Sequence, residues 1–236
     1  MLHKEGKFKE SAKYLKIAND ESTKYKKSDL SLKKKHTEYY RSLKIKNSKN
    51  KYLENSSNYI FIVGMPRSGS TLLENILSLN PEVTDMGEVN FLEESIKEAK
   101  DFEDVFDLYE KKVLNKFPSS IIYTDKSLFN YMYCAVISSF FPKAKIINCI
   151  RNPLDNILSI YRANFLKQSF SFSLTDISSL YVHYFETMEE YKIKYGENIY
   201  DYHYEDLIEN PHNIIPGIIN WLDWDWDEKY LSLIHI

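Results

Sequence analysis

The feature that most constrains this sequence is a glycine-containing turn between a strand-like segment and a helix-like segment. Residues 59–64 (YIFIVG) are a continuous run of β-branched and aromatic residues, which predicts a buried parallel strand ending in a glycine turn. Residues 70–79 predict a helix that stops at Asn80 and Pro81. The turn itself, residues 64–71 (GMPRSGST), brings backbone N–H groups and a helix N-terminus together, so we expect it to bind an anion.

Short strands and helices alternate along the rest of the chain. Further strands are predicted at residues 119–124, 145–150 and 198–204. Further helices are predicted at residues 128–140, 153–165, 174–195 and 212–222. This alternation predicts an α/β fold, with a P-loop-like parallel sheet covered by helices on both faces.

The N-terminal part has a different pattern, which predicts a short helical segment in front of the α/β domain. Apolar residues recur at three- and four-residue steps within residues 5–45, and residues 46–58 are polar and linker-like. The segment is TPR-like: it is similar to the second half of a tetratricopeptide repeat, and half a repeat cannot bury its own apolar face. It is therefore either a helical lead-in or the end of an array cut off upstream. We expect a lead-in and linker over residues 1–50 and a second domain over residues 51–236.

Composition excludes several other classes of protein. Hydrophobic residues make up 43% of the 236 residues and charged residues 28%, a balance typical of soluble globular proteins. No apolar run approaches about 18 residues, so no transmembrane helix is expected. Two cysteines and six histidines without metal-ligand spacing indicate neither a disulfide framework nor a metal site. We therefore expect a cytoplasmic protein without a metal and without a membrane partner.

Positive charge is concentrated near the N-terminus, where residues 1–50 contain 15 Lys and Arg against 6 Asp and Glu. These lysines are scattered at helical spacing and form no cluster interleaved with aromatic residues, so no nucleic-acid partner is expected. A protein partner for the N-terminal helices is an alternative that the sequence leaves open. The remaining residues are acidic overall, so a polyanionic ligand there must be held by a few aimed groups.

The turn differs at one position from the phosphate-binding loop of nucleoside triphosphatases. Its glycine spacing matches that loop, but Ser70 stands where the lysine that reaches the β- and γ-phosphates belongs. Arg67 instead offers a planar fork suited to bidentate contact with a phosphate or a sulfate. A P-loop small-molecule kinase is therefore an alternative, and Ser70 at the position of the lysine argues against it. A turn that only caps a helix is the second alternative.

A second candidate anion site follows the predicted strand 145–150. Arg151 stands at the end of that strand, and Ser159 comes eight residues later in the next helix, so both can face the crevice at the strand ends. Two separate anion sites suit a bisphosphorylated nucleotide, whereas a triphosphate needs one contiguous cradle and an acid that holds a metal. Asp125 is the candidate for that acid, and Lys126 beside it fits a sulfate site better.

Residues 66–74 (PRSGSTLLE) resemble the 5′-phosphosulfate-binding loop of the sulfotransferase family. The likeness is to the branch related to tyrosylprotein sulfotransferases and to repeat-bearing bacterial enzymes. It implies transfer of a sulfuryl group from 3′-phosphoadenosine 5′-phosphosulfate (PAPS), without a metal, to a hydroxyl of a protein tyrosine, a carbohydrate or a small molecule. The resemblance assigns Arg151 and Ser159 to the 3′-phosphate. It assigns the 5′-phosphosulfate to Arg67, Ser68, Gly69, Ser70 and Thr71.

The same resemblance implies the catalytic groups. Glu88, in residues 84–91 (TDMGEVNF), would take the proton of the acceptor hydroxyl, with Asp85 as the weaker alternative. Lys126 would neutralise charge on the transferring group, and Arg67 would share that task. We expect residues 91–116 and 162–180 to line the acceptor pocket, although they carry no motif that identifies the acceptor.

The resemblance covers about residues 58–227, and family members continue with a basic loop that this sequence lacks. We therefore expect a chain truncated at its C-terminus, with weakened cofactor binding. A helical-repeat adaptor with a degenerate nucleotide-binding fold is the remaining alternative. Against it, the motif residues at both anion sites are all present together, which a decayed site would not need.

Overall fold

The computed structural model describes residues 4–43, 45, 58–118, 120–141 and 143–233. Its strands are Asn58–Gly64 (β1), Val83–Asp85 (β2), Ile122–Asp125 (β3), Lys145–Ile150 (β4) and Ile199–His203 (β5). They form one five-stranded sheet in the order β2-β3-β1-β4-β5, and every neighbouring pair is parallel. The predicted α/β class with a parallel sheet is confirmed. The sheet has one strand more than the four that the sequence indicated, and the predicted start of β3 at residue 119 lies outside the described residues.

β1 is the central strand, and its side chains divide the core into two parts. Tyr59, Phe61 and Val63 point to one face of the sheet and join the larger core cluster. Ile60 and Ile62 point to the other face and join the smaller cluster. Both faces are buried because side chains alternate along a strand and helices cover each side. Because β1 is buried on both faces, apolar residues are needed at every position, which explains the continuous apolar run at residues 59–64.

Eight helices of the described residues belong to the α/β part of the chain. They are Ser70–Leu77 (α3), Phe91–Glu98 (α4), Val105–Lys116 (α5), Cys134–Phe140 (α6), Pro153–Ala163 (α7), Leu174–Tyr195 (α8), Tyr204–Glu209 (α9) and Pro211–Trp221 (α10). α3 and α10 supply apolar residues to the smaller cluster, and α5, α6 and α8 supply them to the larger one. Helices therefore lie on both faces, as predicted. Among the described residues, no helix combines the length and the apolar character that a membrane span requires.

One predicted helix, at residues 128–140, has two different parts. Leu128–Tyr133 is a 3₁₀ helix, and only Cys134–Phe140 is an α-helix. The tight first part follows from local hydrogen bonds: Asn130 N donates to Ser127 O, and Ser127 Oγ donates to Val89 O. These bonds hold the chain against the end of β3 before a regular helix can begin.

The N-terminal part, expected to be helical over residues 5–45, forms the two helices Phe8–Tyr25 (α1) and Leu30–Ser42 (α2). Asp29 stands between them, and its carboxylate accepts hydrogen bonds from Ser169 Oγ at 3.0 Å and from Phe170 N at 2.8 Å. In α1, Asn19 Nδ2 donates to Tyr161 O at 3.2 Å. In α2, Tyr40 is buried in the larger core cluster. Both helices thus contact the α/β part directly.

The proposed division of the chain near residue 50 stays a prediction, as does the kinship of α1 and α2 with a repeat array. Residues 46–57, which make up most of the predicted linker, lie outside the described residues. Asp29 and Tyr40 both contact residues of the α/β part.

Candidate active site at the strand ends

The turn after β1 has the geometry of an anion cradle. Gly69 is the residue before α3 and has a φ of 86°, and Arg67 has a φ of 70°, which is unusual for a residue with a side chain. A Cβ at position 69 would overlap the ring of Tyr204, so glycine is required there on two grounds. Glycine also offers no side-chain cap, so the first N–H groups of α3 stay open to a ligand. A non-glycine residue held at positive φ is a sign of stored strain, which is common at ligand sites.

Ser68 is the most buried of the hydroxyl residues in this turn. Its side chain is 1% exposed, and its Oγ has no hydrogen-bond partner among the described residues. A buried hydroxyl without a partner costs free energy, and a ligand that bonds it removes that cost. Ser70 is also buried, whereas Thr71 is exposed and lines the cleft above the turn.

The two predicted anion sites meet through arginine contacts. Arg67 Nε donates to Ser159 Oγ at 3.2 Å, and Arg151 Nη1 donates to Arg67 O at 3.0 Å. The guanidinium of Arg151 lies 4.9 Å from the ring centroid of Tyr204, the residue that packs on Gly69. The structure therefore brings Arg67, Arg151 and Ser159 together from the turn after β1, the end of β4 and α7.

Neighbouring groups fix the start of α7 beside these arginines. Asn152 caps the helix by accepting from Leu154 N and Asp155 N, and Pro153 occupies the first turn, as predicted. Glu205 Oε1 accepts from Asn152 N at 3.0 Å and lies 4.0 Å from Arg151 Nε. Glu205 thus acts as a structural acid in the first turn of α9.

Lys126, at the end of β3, lies between two carboxylates. Its Nζ is 3.4 Å from Glu74 Oε2 and 3.7 Å from Glu88 Oε1. Glu74 is 4% exposed and also accepts from Thr124 Oγ1 at 3.3 Å. Burial raises the pKa of the Glu74 carboxyl, and the Lys126 ammonium opposes that rise.

Glu74 is the functional candidate that sequence reasoning missed. It belongs to the quoted string PRSGSTLLE but had no role assigned to it. The available signal was an acid within the mostly apolar stretch of residues 72–77 (LLENIL), because an acid is rarely buried unless it is paired. Its partner Lys126 lies far along the chain, at the end of β3, so the pairing was not visible locally.

Glu88 is the exposed carboxylate of the two that lie beside Lys126. Its side chain is 74% exposed, and it lies on the loop after β2, the edge strand. Lys126 N donates to Gly87 O at 2.9 Å, which holds this loop against the end of β3. The loop that carries Glu88 thus lies beside Lys126 at the end of β3. Asp85, the weaker alternative, ends β2 and is exposed.

Both carboxylate oxygens of Asp125 are engaged by the protein itself. The side chain is buried, and its oxygens accept from Tyr109 Oη at 3.0 Å and from Ser127 N at 3.0 Å. Burial raises its pKa to about 6. Its bonds are thus with the protein core, which is not the arrangement of a metal-holding acid. Within the described residues, no group of three or more His, Cys, Asp and Glu could hold a metal ion.

A cleft of about 960 Å³ opens over these groups. The residues that line it include Arg67, Ser70, Glu88 and Arg151. Lys126 does not line the cleft but contacts the lining residue Glu88. Ser159 likewise contacts the lining residue Arg67. Of the two segments predicted to line an acceptor pocket, residues 91–116 contribute through Glu93 and residues 162–180 through the loop at 163–168. Helix α2 and the segment at 127–133 also line the cleft, and sequence reasoning did not include them.

Several sulfotransferases of known structure have a similar fold. A mouse sulfotransferase, SULT7A1, complexed with PAP matches with a TM-score of 0.54 and 19% identity, over 83% of this chain and 69% of that one. A sulfotransferase from Alicyclobacillus acidocaldarius matches with a TM-score of 0.51 and 18% identity, over 76% of this chain and 90% of that one. At these identities the likeness concerns the fold.

Sequence comparison gives the family. An uncharacterized protein of Aquifex aeolicus (strain VF5) is 27% identical over 200 residues, which cover 73% of this chain and 26% of that protein. The chain thus spans about a quarter of the length of that relative. The model of the sulfotransferase family matches residues 59–119 and 105–228, well over half of the sequence. On that match, and with a strand-end site of this geometry, the chain belongs to the sulfotransferase family.

Proposed function

We propose that this chain transfers a sulfuryl group from PAPS to a hydroxyl acceptor. The observation that carries the proposal is the meeting of Arg67, Arg151 and Ser159 around a turn with open N–H groups. Two guanidinium groups from different strand ends suit a nucleotide with anionic groups at two positions. The mouse sulfotransferase of similar fold is complexed with PAP, which supports the same class of cofactor.

The residues of the turn fit such a cofactor. Ser68 Oγ is a buried hydroxyl without a partner among the described residues, and a phosphosulfate oxygen would supply one. Glycine at position 69 lets the ring of Tyr204 lie directly against the backbone of the turn, where a Cβ would overlap it. Together with Ser70 and Thr71, these groups would hold the 5′-phosphosulfate, and Arg151 with Ser159 would hold the 3′-phosphate.

In the proposed mechanism, each side chain has a separate task. PAPS supplies a sulfuryl group bonded to a phosphate leaving group. Glu88 accepts the proton of the acceptor hydroxyl while the hydroxyl oxygen forms its bond to sulfur and the bond from sulfur to the phosphate oxygen breaks. Lys126 and Arg67 neutralise the charge that develops on the transferring and leaving oxygens. Glu74 holds the Lys126 ammonium in place beneath the cleft.

The proposal specifies the acceptor only as a hydroxyl compound, which can be a protein tyrosine, a carbohydrate or a small molecule. A cytoplasmic location and a protein partner for α1 and α2 are proposed on the composition and charge of the sequence. The adaptor and kinase alternatives receive no support from a specific contact among the described residues. Ser70 leaves the cradle without a lysine, and Asp125 is engaged by Tyr109 and Ser127.

Calorimetric titration with 3′,5′-adenosine bisphosphate tests the proposal. We expect saturable binding that weakens about 10- to 100-fold in Arg67→Ala and in Arg151→Ala, since a charge-assisted hydrogen bond contributes about 1.5–3 kcal/mol. Arg162→Ala, an exposed arginine at the end of α7, is the matched control and leaves the affinity unchanged. ATP serves as the competing ligand. Equal affinity for ATP, or no binding of the bisphosphate by a folded chain, would contradict the proposal.

A further inference from the structure

The cleft over the strand ends has a second wall that the sequence motifs do not explain. Helix α2 contributes Leu32, Lys33 and His36 to the lining of the same cleft that Arg67 and Glu88 line. These residues belong to the N-terminal segment, which the sequence indicated as a lead-in. The wall therefore places part of that segment beside the reacting groups.

Helix α2 is held rigidly in this position. Lys34 Nζ donates to Ser179 Oγ at 2.7 Å, and Arg41 Nε lies 3.0 Å from Glu190 Oε2, so two residues of α8 hold its length. Tyr40 is buried against the 3₁₀ segment, with its ring centroid 4.8 Å from that of Tyr133. A wall fixed at several points along the helix can select among ligands by shape.

The positive charge on this wall is already neutralised. Lys33 Nζ lies 3.6 Å from Asp29 Oδ2 and 3.9 Å from the ring centroid of Phe129. His36 packs edge-on against the ring of Tyr133 at 5.7 Å, and burial lowers its pKa. The wall therefore offers aromatic and aliphatic surface and a neutral imidazole, with little attraction for a polyanionic chain.

The loop at residues 163–168 lines the same cleft and contains two buried amide oxygens. Asn164 Oδ1 and Gln168 Oε1 have no hydrogen-bond partner among the described residues, and both residues line the cleft. Contacts from the N-terminal segment position this loop, because Lys26 Nζ donates to Leu166 O and Asp29 N donates to Ser169 Oγ. Two buried carbonyl oxygens without donors indicate a ligand that carries hydrogen-bond donors.

We propose that α2 and the loop at residues 163–168 form the acceptor subsite, and that it takes an uncharged hydroxyl compound with an apolar face and a second hydrogen-bond donor. His36 and Lys33 pack on the apolar face, and the amide oxygens of Asn164 and Gln168 accept from the donor. The proposal rests on the proposed function, because Glu88 must deprotonate a hydroxyl bound in this cleft. It makes α2 a specificity element of the transferase.

A matched pair of probes tests the proposal by saturation-transfer NMR on the chain saturated with 3′,5′-adenosine bisphosphate. The probes are 2,6-dihydroxynaphthalene, which is uncharged with two donors, and 6-hydroxy-2-naphthoate, in which a carboxylate replaces one donor. We expect the uncharged probe to bind several-fold more tightly than the carboxylate. Its binding should weaken about 5- to 10-fold in His36→Ala and in Gln168→Ala. His212→Ala, an exposed histidine of α10, is the control.

The bisphosphate titration and the probe titrations separate the two proposals. Unchanged affinity for the bisphosphate in His36→Ala and Gln168→Ala shows that both variants fold and keep the cofactor site. No binding of the uncharged probe, equal binding of both probes, or equal binding by wild type and both variants overturns the acceptor subsite. Failure of the wild-type chain to bind the bisphosphate overturns the proposed function instead, and it is measured first and separately.

Discussion

Lys126 extends its ammonium group between Glu74 and Glu88, and only Glu74 is buried with it. Removing one partner of a buried ion pair leaves an uncompensated charge in a poorly solvated place, which costs more than the pair itself contributes. The buried charge of Glu74 is therefore compensated by Lys126. Glu74 in turn holds the Lys126 ammonium group beside Glu88, which lines the cleft.

Lys126→Met is expected to lower the free energy of unfolding by about 3 kcal/mol, because Glu74 then stays buried without its partner. The double variant Glu74→Gln/Lys126→Met is expected to recover at least about 1 kcal/mol of that loss. Urea denaturation measures both. The exposed pair of Lys97 with Glu93 gives the control, and Lys97→Met changes the stability by less than about 0.5 kcal/mol. Additive effects of the two substitutions at 74 and 126 would disprove the coupling.

Asp125 gives the fold a pH dependence of defined sign. Burial raises its pKa from the ordinary 3.8 to about 6, so the folded state holds this proton more tightly than the unfolded state does. Stability therefore falls as pH rises between these two values, and the loss is complete above about pH 6.

Asp125→Asn removes that titration, because an amide has no proton to lose in this range. We expect the stability of the wild type relative to Asp125→Asn to fall by up to about 3 kcal/mol between about pH 4 and pH 6.5. Denaturant unfolding at several pH values measures the difference. Asp223→Asn, at a position with an 86% exposed side chain, is expected to show no such slope, and a flat difference for Asp125→Asn would refute the assignment.

At the residue scale, the sequence predicted the placement of groups that lie in a local turn. Arg67 and Gly69 lie in one strand-turn-helix unit, and Arg151 with Ser159 lies in another, so short-range spacing predicted both. The pairing of Glu74 in α3 with Lys126 at the end of β3 joins distant parts of the sequence and could not be predicted from spacing. The contact of Arg67 Nε with Ser159 Oγ likewise depends on the packing of α7 beside the turn.

At the scale of elements, helix α2 contributes one aromatic ring to the core and leaves its neighbour outside. Tyr40 is 7% exposed and Tyr39 is 55% exposed, although the two residues are adjacent. Tyr40 packs edge-on against Tyr133, and Tyr39 packs on Tyr40 from outside. A substitution of Tyr40, compared with the same substitution of Tyr39, therefore tests whether Tyr40 anchors α2 to the core.

Tyr40→Ala is expected to lower the free energy of unfolding by about 3–5 kcal/mol, as large-to-small substitutions of buried aromatic residues do. Tyr39→Ala removes the same side chain from the surface and is expected to cost less than about 1 kcal/mol. Guanidinium denaturation followed by circular dichroism measures both changes. Equal and small effects would mean that α2 is not part of the cooperative core.

The elements themselves are predictable where they are long and regular. The apolar run of β1 and the amphipathic stretch of α8 identify their types, although the predicted ends of several elements differ from the observed ones by one or two residues. β2 was missed because three residues at a sheet edge carry no alternating pattern. The segment at 128–133 was predicted as the start of one helix over residues 128–140, and it forms a 3₁₀ helix before the α-helix begins. The two kinds of helix share a similar apolar spacing, and the bonds of Ser127 that distinguish them are not visible in the sequence.

At the scale of the whole molecule, the two N-terminal helices pack on the α/β part, and the boundary near residue 50 stays a prediction that truncation can test. α1 and α2 cover Tyr133 and the segment at 163–170 of the α/β part. We expect a chain of residues 51–236 to lose its cooperative unfolding transition and to expose apolar surface that binds a hydrophobic dye. The full chain is expected to show a single transition. A truncated chain with the same midpoint as the full chain would support two independent segments instead.

The position of β1 at the centre of the sheet separates two sets of groups. Arg151 and Ser159 follow β4 on one side of it, whereas Lys126 and Glu88 follow β3 and β2 on the other. With the proposed roles, the side of β4 holds the donor nucleotide and the side of β2, together with α2, meets the acceptor. Substitutions can therefore accumulate on the acceptor side while donor binding is kept. With these roles, a lineage of such proteins could change its acceptor through substitutions beside β2 and in α2, without changes in the donor site.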